Sequence, residues 1–120
     1  MPNEAQNPKS QKYDLADRTI RFAEQIVAFC TTVPKNPVTM PLISQLVRSG
    51  TSVGANYAEA DGASSKKDFN NKISICRKEA KETKYWLTVI SKAVSDKEEA
   101  ATYLLKEAQE FILIFSAILR

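Results

Sequence analysis

One run of apolar residues constrains this chain more than any other feature, because it keeps helical spacing from residue 69 to residue 94. Its members are separated alternately by four and three positions: Phe69, Ile73, Cys76, Ala80, Thr83, Leu87, Ile90 and Val94. Such spacing places them on one stripe of a helix about four heptads long. No proline follows residue 41, so long helices are permitted in the rest of the chain.

Three further segments have amphipathic spacing, and together the four predict the fold. The predicted helices run from about Asp14 to Thr32, Thr39 to Asp61, Ser65 to Ala93 or Val94, and Ser95 to the C-terminus. The predicted N-caps are Asp14, Thr39, Ser65 and Ser95. Short connections and no strand pattern predict an all-α fold, an antiparallel up-down-up-down four-helix bundle. Residues 13–120 are predicted to be one domain, and the polar residues 1–12 a flexible N-terminal tail.

Composition argues against several classes of protein. The chain has 120 residues and no histidine, which removes the commonest general base and the commonest metal ligand. We therefore predict no enzyme, no catalytic residue, no metal and no cofactor. The cysteines Cys30 and Cys76 lie on apolar helical faces, which indicates buried thiols in a reducing cytoplasm, with a disulfide as the alternative. No apolar run approaches the roughly 18 residues that a membrane span needs.

Two glycines four residues apart lie on the apolar face of the second predicted helix. Gly50 and Gly54 should each cost about 1 kcal/mol relative to alanine in a helix interior. A phosphate-binding P-loop is excluded because no Lys-Ser or Lys-Thr follows the glycines. We predict that another helix packs closely against them, and the alternative is a ligand or nucleic acid that approaches over them.

The positive charge of the chain is concentrated in the third predicted helix. Residues 66–84 hold seven basic and three acidic side chains. The candidate nucleic-acid-binding residues lie on one flank of the helix and further round it: Lys66, Lys67, Arg77, Lys78, Lys81 and Lys84. Two interpretations stay open, a solvated face paired with glutamates of a neighbouring helix or a surface that binds RNA or DNA phosphates. No base-reading motif occurs, so such binding would depend on backbone and shape.

Several large apolar residues fall outside the main stripes of their helices. These are Ile75 and Trp86 in the third helix and Ile112 and Ile114 in the fourth. One bundle core cannot easily hold them all, and an exposed apolar strip that contains tryptophan is typical of a subunit contact. We predict a homo-oligomer that uses these four residues, and the alternative is that loops and the N-terminal tail cover them.

The second and third helices resemble a known family. The segments QLVRSGTSVGANYAEADGA (45–63) and DFNNKISICRKEAKETKYWL (68–87) are similar to the signature of the four-helix-bundle proteins associated with intervening sequences in bacterial 23S ribosomal RNA genes. The segment YDLADRTIRFA (13–23) matches the opening of that family. The residues that match its pattern are Arg48, Ser49, Gly50, Ser52, Gly54, Asn56, Glu59, Lys78, Glu79, Glu82, Thr83 and Trp86.

The resemblance implies a small cytoplasmic protein that forms a ring-like homo-oligomer, most simply a pentamer. A related branch of the family serves retroelements as a basic, pentameric accessory protein that binds nucleic acid. The leading hypothesis is a non-enzymatic oligomer that binds structured RNA or other nucleic acid through the third helix. The alternative is a protein-interaction or scaffolding module. Neither the residues nor the resemblance assigns a role to Arg48, Ser49, Asn56 or Glu59.

Overall fold

A computed structural model describes residues 14–120, which form four α-helices. The helices are α1 (Leu15–Thr32), α2 (Thr39–Asp61), α3 (Lys66–Ala93) and α4 (Glu98–Leu119), and a single 3₁₀ turn (Ser95–Lys97) precedes α4. These limits confirm the helices expected from the apolar periodicity. The predicted tail, residues 1–12, lies outside the described residues.

Two of the predicted helix caps form as expected and two do not. The side chains of Asp14 and Ser65 accept the backbone N–H three residues ahead. Thr39 is wrong as a cap, because it is already the first helical residue and Asn36 Oδ1 accepts from the N–H groups of residues 38 and 39 instead. Ser95 is also wrong, because it lies inside the 3₁₀ turn rather than before it, and α4 begins without a side-chain cap.

Consecutive helices pack antiparallel around a common core. Along each contact, the residue number rises in one helix as it falls in the next. Pairs that establish this are Thr19 with Gly54, Ile26 with Gly50, Ser49 with Thr83, Val53 with Cys76, Arg77 with Ser116 and Lys84 with Gln109. The predicted antiparallel four-helix bundle is therefore confirmed.

The helix α4 closes the bundle by returning to α1. Phe22 packs edge-to-face on Phe111 with 5.3 Å between ring centroids, and both side chains are fully buried. Arg18 lies over the Phe111 ring and donates two hydrogen bonds to Glu107, at 2.8 and 2.9 Å. This contact covers the aromatic core at the α1–α4 side.

The apolar stripe of α3 forms the centre of the core. Ile73, Cys76, Ala80, Leu87 and Ile90 have no exposed surface, as the heptad spacing predicts. Both glycines of α2 lie against α1, where a Cβ on Gly50 would come within 2.8 Å of Ile26 Cγ2 and one on Gly54 within 3.2 Å of Thr19 Cβ. The α1 backbone can thus approach α2 closely at these positions. No helix in residues 14–120 is both long and apolar enough to cross a membrane.

Candidate nucleic-acid interface

The six candidate basic residues lie outside the buried stripe of α3, on one flank of that stripe and further round the helix. We call them the basic face: Lys66, Lys67, Arg77, Lys78, Lys81 and Lys84. At about 100° per residue they span an arc of about 120° around the helix. The five lysines are exposed, whereas Arg77 is half-buried.

The hydrogen-bond partners of the basic face within the bundle are neutral. Lys84 Nζ donates to Gln109 Oε1 at 2.7 Å, and Arg77 Nη1 donates to Ser116 Oγ at 3.3 Å. Both acceptors belong to α4. Among residues 14–120, no carboxylate lies within ion-pair distance of any of the six basic side chains. Glutamates of a neighbouring helix in the same chain therefore do not compensate this charge.

The acidic residues of α3 are directed elsewhere. Glu79 and Glu82 lie on the flank that meets α2, where both accept from Arg48, with 3.2 Å between Arg48 Nη1 and Glu79 Oε1. Asp68 lies in the first helical turn, where a carboxylate interacts favourably with the helix dipole. Most basic side chains of α3 therefore lie away from the side that meets Arg48. Two are exceptions: Lys72 pairs with Glu59, and Lys78, one turn before Glu82, helps to lower the pKa of that carboxyl.

Arg48, Glu79 and Glu82 belong to a larger polar cluster between α2 and α3. Trp86 Nε1 donates to the Glu82 carboxylate oxygen that also binds Arg48, with 3.1 Å between nitrogen and oxygen. Glu79 is largely buried, its side chain 9% exposed. Arg48 therefore compensates a carboxylate that has little access to water.

A pair of hydroxyls continues this cluster towards the core. Thr83 Oγ1 donates either to Ser49 Oγ, at 3.0 Å, or to the Glu79 carbonyl oxygen, at 2.8 Å, and both side chains are fully buried. Each hydroxyl thereby has a hydrogen-bond partner, whereas a buried hydroxyl without one would destabilise the fold.

Charge and hydrogen bonding shift the acid–base equilibria of the exposed members of this cluster. The Trp86 indole N–H and the Arg48 guanidinium hold the pKa of Glu82 below its usual value. The hydrogen bond from Arg48 to Glu82 raises the pKa of Arg48 in turn. Both groups are therefore charged at neutral pH, and their interaction favours the folded bundle.

The structure shows contacts for the four residues to which the sequence assigned no role. Arg48 and Ser49 connect α2 to α3, as described above. Glu59 forms an ion pair with Lys72, a second α2–α3 link near the other end of the contact. Asn56 Nδ2 donates to the Ser52 carbonyl oxygen within α2. The sequence analysis did not predict this cluster. The signal for it was the spacing of Glu79, Glu82, Thr83 and Trp86, which are three, four and seven residues apart and so share one side of α3.

The four residues of the predicted subunit contact do not lie on one strip. Ile75, Trp86, Ile112 and Ile114 are each half-buried, and the last three pack against the core. Because Ile112 and Ile114 are two positions apart, they point about 200° away from each other around α4. The more exposed large apolar side chains are elsewhere: Ile20, Val27, Val38, Met40, Tyr85, Tyr103, Leu113 and Ile118.

The thiols and carboxylates of residues 14–120 do not assemble a metal site. No three cysteine, aspartate or glutamate side chains in this part of the chain come together as metal ligands. Cys30 and Cys76 are separate, buried free thiols. Burial raises the pKa of Cys30 to about 11 and that of Cys76 to about 12.

Comparison with known proteins identifies the family. A crystal structure from Bacteroides thetaiotaomicron, of a protein of unknown function from the S23 ribosomal protein family, superposes with a TM-score of 0.80. It is 32% identical in sequence, and the match covers 88% of this chain and 97% of that one. No curated protein matches the chain. The family described as 23S rRNA-intervening sequence protein matches residues 11–117, and the chain belongs to this family.

Proposed function

We propose that this protein is a non-enzymatic, self-associating bundle that binds structured RNA through the basic face of α3. The observation that carries the proposal is that no side chain of that face forms an ion pair with a carboxylate of residues 14–120. Basic side chains that neutralise phosphates release counterions, and this release supplies most of the affinity in sequence-independent binding.

The geometry of the basic face favours recognition of the phosphate backbone. Lys67, Lys78 and Lys81 are exposed along one side of a single 28-residue helix, so their charges extend along the helix rather than enclosing a pocket. Phosphate contacts of this kind position a nucleic acid without reading its sequence. RNA helices are recognised largely by shape and backbone, which suits a rigid charged helix.

The family name indicates which RNA to test first. It refers to an intervening sequence of 23S rRNA. A fragment of 23S rRNA that contains a helical segment is accordingly the natural first ligand. DNA of matched length distinguishes RNA binding from general affinity for phosphates.

The absence of suitable nucleophiles supports a non-enzymatic role. The chain contains no histidine. Cys30 and Cys76 are buried, and their raised pKa values keep both thiols protonated at neutral pH. Free buried thiols also support the proposal of a cytoplasmic location, where cysteines stay reduced.

An apolar stripe on α1 favours a second candidate function, a protein-interaction module. Ala16, Ile20, Ala23 and Val27 recur at spacings of four, three and four, on a side of α1 that borders its buried face. Ile20 is 55% exposed and Val27 is 43% exposed. Contiguous apolar surface of this kind is typical of protein contacts. The same stripe could serve self-association, which the resemblance suggests produces a pentamer.

A salt titration with the 23S rRNA fragment tests the proposal. We expect the logarithm of the association constant to fall linearly as the logarithm of salt concentration rises. The variant Lys78→Glu with Lys81→Glu should bind at least 10-fold more weakly and have a slope shallower by about two. These lysines are preferred to Arg77 because they are exposed, whereas Arg77 contacts α4.

A matched control tests whether weaker binding comes from where the charges are reversed or only from the change in net charge. Arg21→Glu with Lys35→Glu changes two exposed basic residues outside α3. Each reversal lowers the net charge by two, so both double variants carry −1 where the native chain carries +3. Equal weakening by both variants, or no binding of the native protein at low salt, would contradict the proposal. Light scattering tests self-association, and a monomer at micromolar concentration would refute that part.

A further inference from the structure

An exposed aromatic side chain lies within the basic face. Tyr85 is 58% exposed. It follows Lys81 by one helical turn and Lys78 by two turns, and Lys92 lies two turns further on. The residue therefore projects from a helical surface where lysines precede and follow it.

The ring of Tyr85 contacts a second aromatic ring. It packs edge-to-face on Trp86, with 4.8 Å between ring centroids and 78° between the ring planes. Trp86 is in turn held by its hydrogen bond to Glu82, which Arg48 also binds. A chain of contacts thus links the Tyr85 ring, through Trp86 and Glu82, to Arg48 of α2.

A positive surface that carries an exposed aromatic ring is the arrangement that proteins use to bind unpaired nucleotides. The basic side chains follow the phosphates, and the base stacks on the ring. Stacking of one base changes affinity roughly 5- to 150-fold when the aromatic side chain is removed. In the interior of a duplex no base face is free for such stacking, because the bases are stacked on one another.

We infer that Tyr85 stacks on an unpaired base of the RNA held by the basic face. This inference rests on the proposed function and narrows its ligand to RNA in which an unpaired nucleotide adjoins a helical segment. The lysines would bind the backbone of both parts, whereas Tyr85 would contact only the unpaired base. We therefore expect the protein to bind RNA with a loop or bulge more tightly than an uninterrupted duplex.

The chain offers a matched control in a second exposed tyrosine. Tyr103 on α4 is 63% exposed, similar to Tyr85. Its neighbours on the helix surface include Glu99, Glu107 and Glu110, at four positions before and at four and seven positions after it. Carboxylates repel phosphates, so this tyrosine should not contact RNA. Replacing Tyr103 therefore tests whether the loss of an exposed tyrosine outside the basic face also weakens RNA binding.

The experiment compares two RNAs and three variants by fluorescence anisotropy at low salt. One RNA is a hairpin with an unpaired loop, and the other is a blunt duplex with the same stem sequence. Tyr85→Ala should bind the hairpin about 10-fold more weakly and the duplex as tightly as the native protein does. Tyr85→Phe retains the ring and should bind like the native protein, as should Tyr103→Ala.

The outcomes separate this inference from the proposed function. If Tyr85→Ala binds the hairpin normally, or loses affinity equally for both RNAs, the stacking role is refuted while the basic face can still bind RNA. If the native protein binds neither RNA at low salt, the proposed function itself fails. Thermal unfolding followed by circular dichroism verifies that each variant is folded. We expect each to fold, because the substituted tyrosine is exposed in every case.

Discussion

Glu82 of α3 forms an ion pair with Arg48 of α2. The same carboxylate oxygen accepts the indole N–H of Trp86, and Arg48 also binds the buried Glu79. Two of the acidic side chains of α3 are thereby directed to α2. Since Arg48 holds them there, neither carboxylate forms an ion pair with a lysine of the basic face, although the charge of Lys78 helps to lower the pKa of Glu82. The exposed lysines remain available for an anionic partner.

Replacement of Arg48 should destabilise the bundle. Arg48→Met leaves the Glu79 carboxylate, 9% exposed, without its ionic partner, and we expect the free energy of unfolding to fall by about 1–3 kcal/mol. Urea denaturation measures this change. Lys72→Met provides the control, because it breaks a more exposed ion pair with Glu59 and should cost at most about 1 kcal/mol. Equal losses would show that burial of Glu79 is unimportant.

The contribution of Glu82 should depend on pH. Its pKa is lower in the folded protein than in the unfolded chain, so its carboxylate stabilises the fold above the unfolded value and loses this effect as pH falls through the folded value. Native protein should therefore be more stable than Glu82→Gln at pH 7, and the difference should shrink below the ordinary glutamate value of 4.5. Denaturation curves at several pH values test this, and a difference that grows on acidification would contradict it.

Gly50 should not tolerate a side chain. In Gly50→Ala the new Cβ would lie 2.8 Å from Ile26 Cγ2, and the buried, β-branched Ile26 cannot easily move away. We expect a net loss of about 1–3 kcal/mol in unfolding free energy, despite the better helix propensity of alanine. Gly62→Ala is the control, because the nearest atoms lie at 4.0 Å and its φ of −99° suits alanine. Chemical denaturation of both variants makes the comparison.

Both cysteines should be unreactive in the folded protein. Cys30 and Cys76 are buried, with pKa values raised to about 11 and 12, so little thiolate forms at pH 8. A disulfide-exchange reagent such as dithionitrobenzoate should label them slowly without denaturant and rapidly in guanidinium chloride. Fast labelling of the native protein would show that the core opens readily.

Local features of the helices were predictable where a short-range bond decides them. Asp14 and Ser65 cap their helices because the acceptor and the N–H group are three residues apart. Thr39 and Ser95 had suitable side chains but the wrong backbone position. The turn at residues 34–39 places Thr39 inside the helix, with its hydroxyl donating to the Pro34 carbonyl oxygen, and Ser95 lies within a 3₁₀ turn.

The candidate site was predictable only in part. The periodicity of α3 correctly separated its basic side chains from its buried stripe, since that depends on one helix alone. The same reasoning could not find the bond from Arg48 to Glu79, because the two residues are far apart in sequence. It also predicted Trp86 to be a subunit contact, which stays a prediction. The hydrogen bond from Trp86 to Glu82 and its contact with the Tyr85 ring were not predicted.

The sequence by itself determined that this chain forms four amphipathic helices and that positive charge collects on the third. These properties depend on the spacing of residues within each helix. Only the tertiary structure decided which charges are compensated, because that depends on the helix that packs against each flank. Arg48 of α2 meets Glu79 and Glu82, while α4 presents the uncharged Gln109 and Ser116 to the basic face. The register of the packed helices depends on residues far apart in sequence, and in residues 14–120 it leaves the basic face without an ion pair.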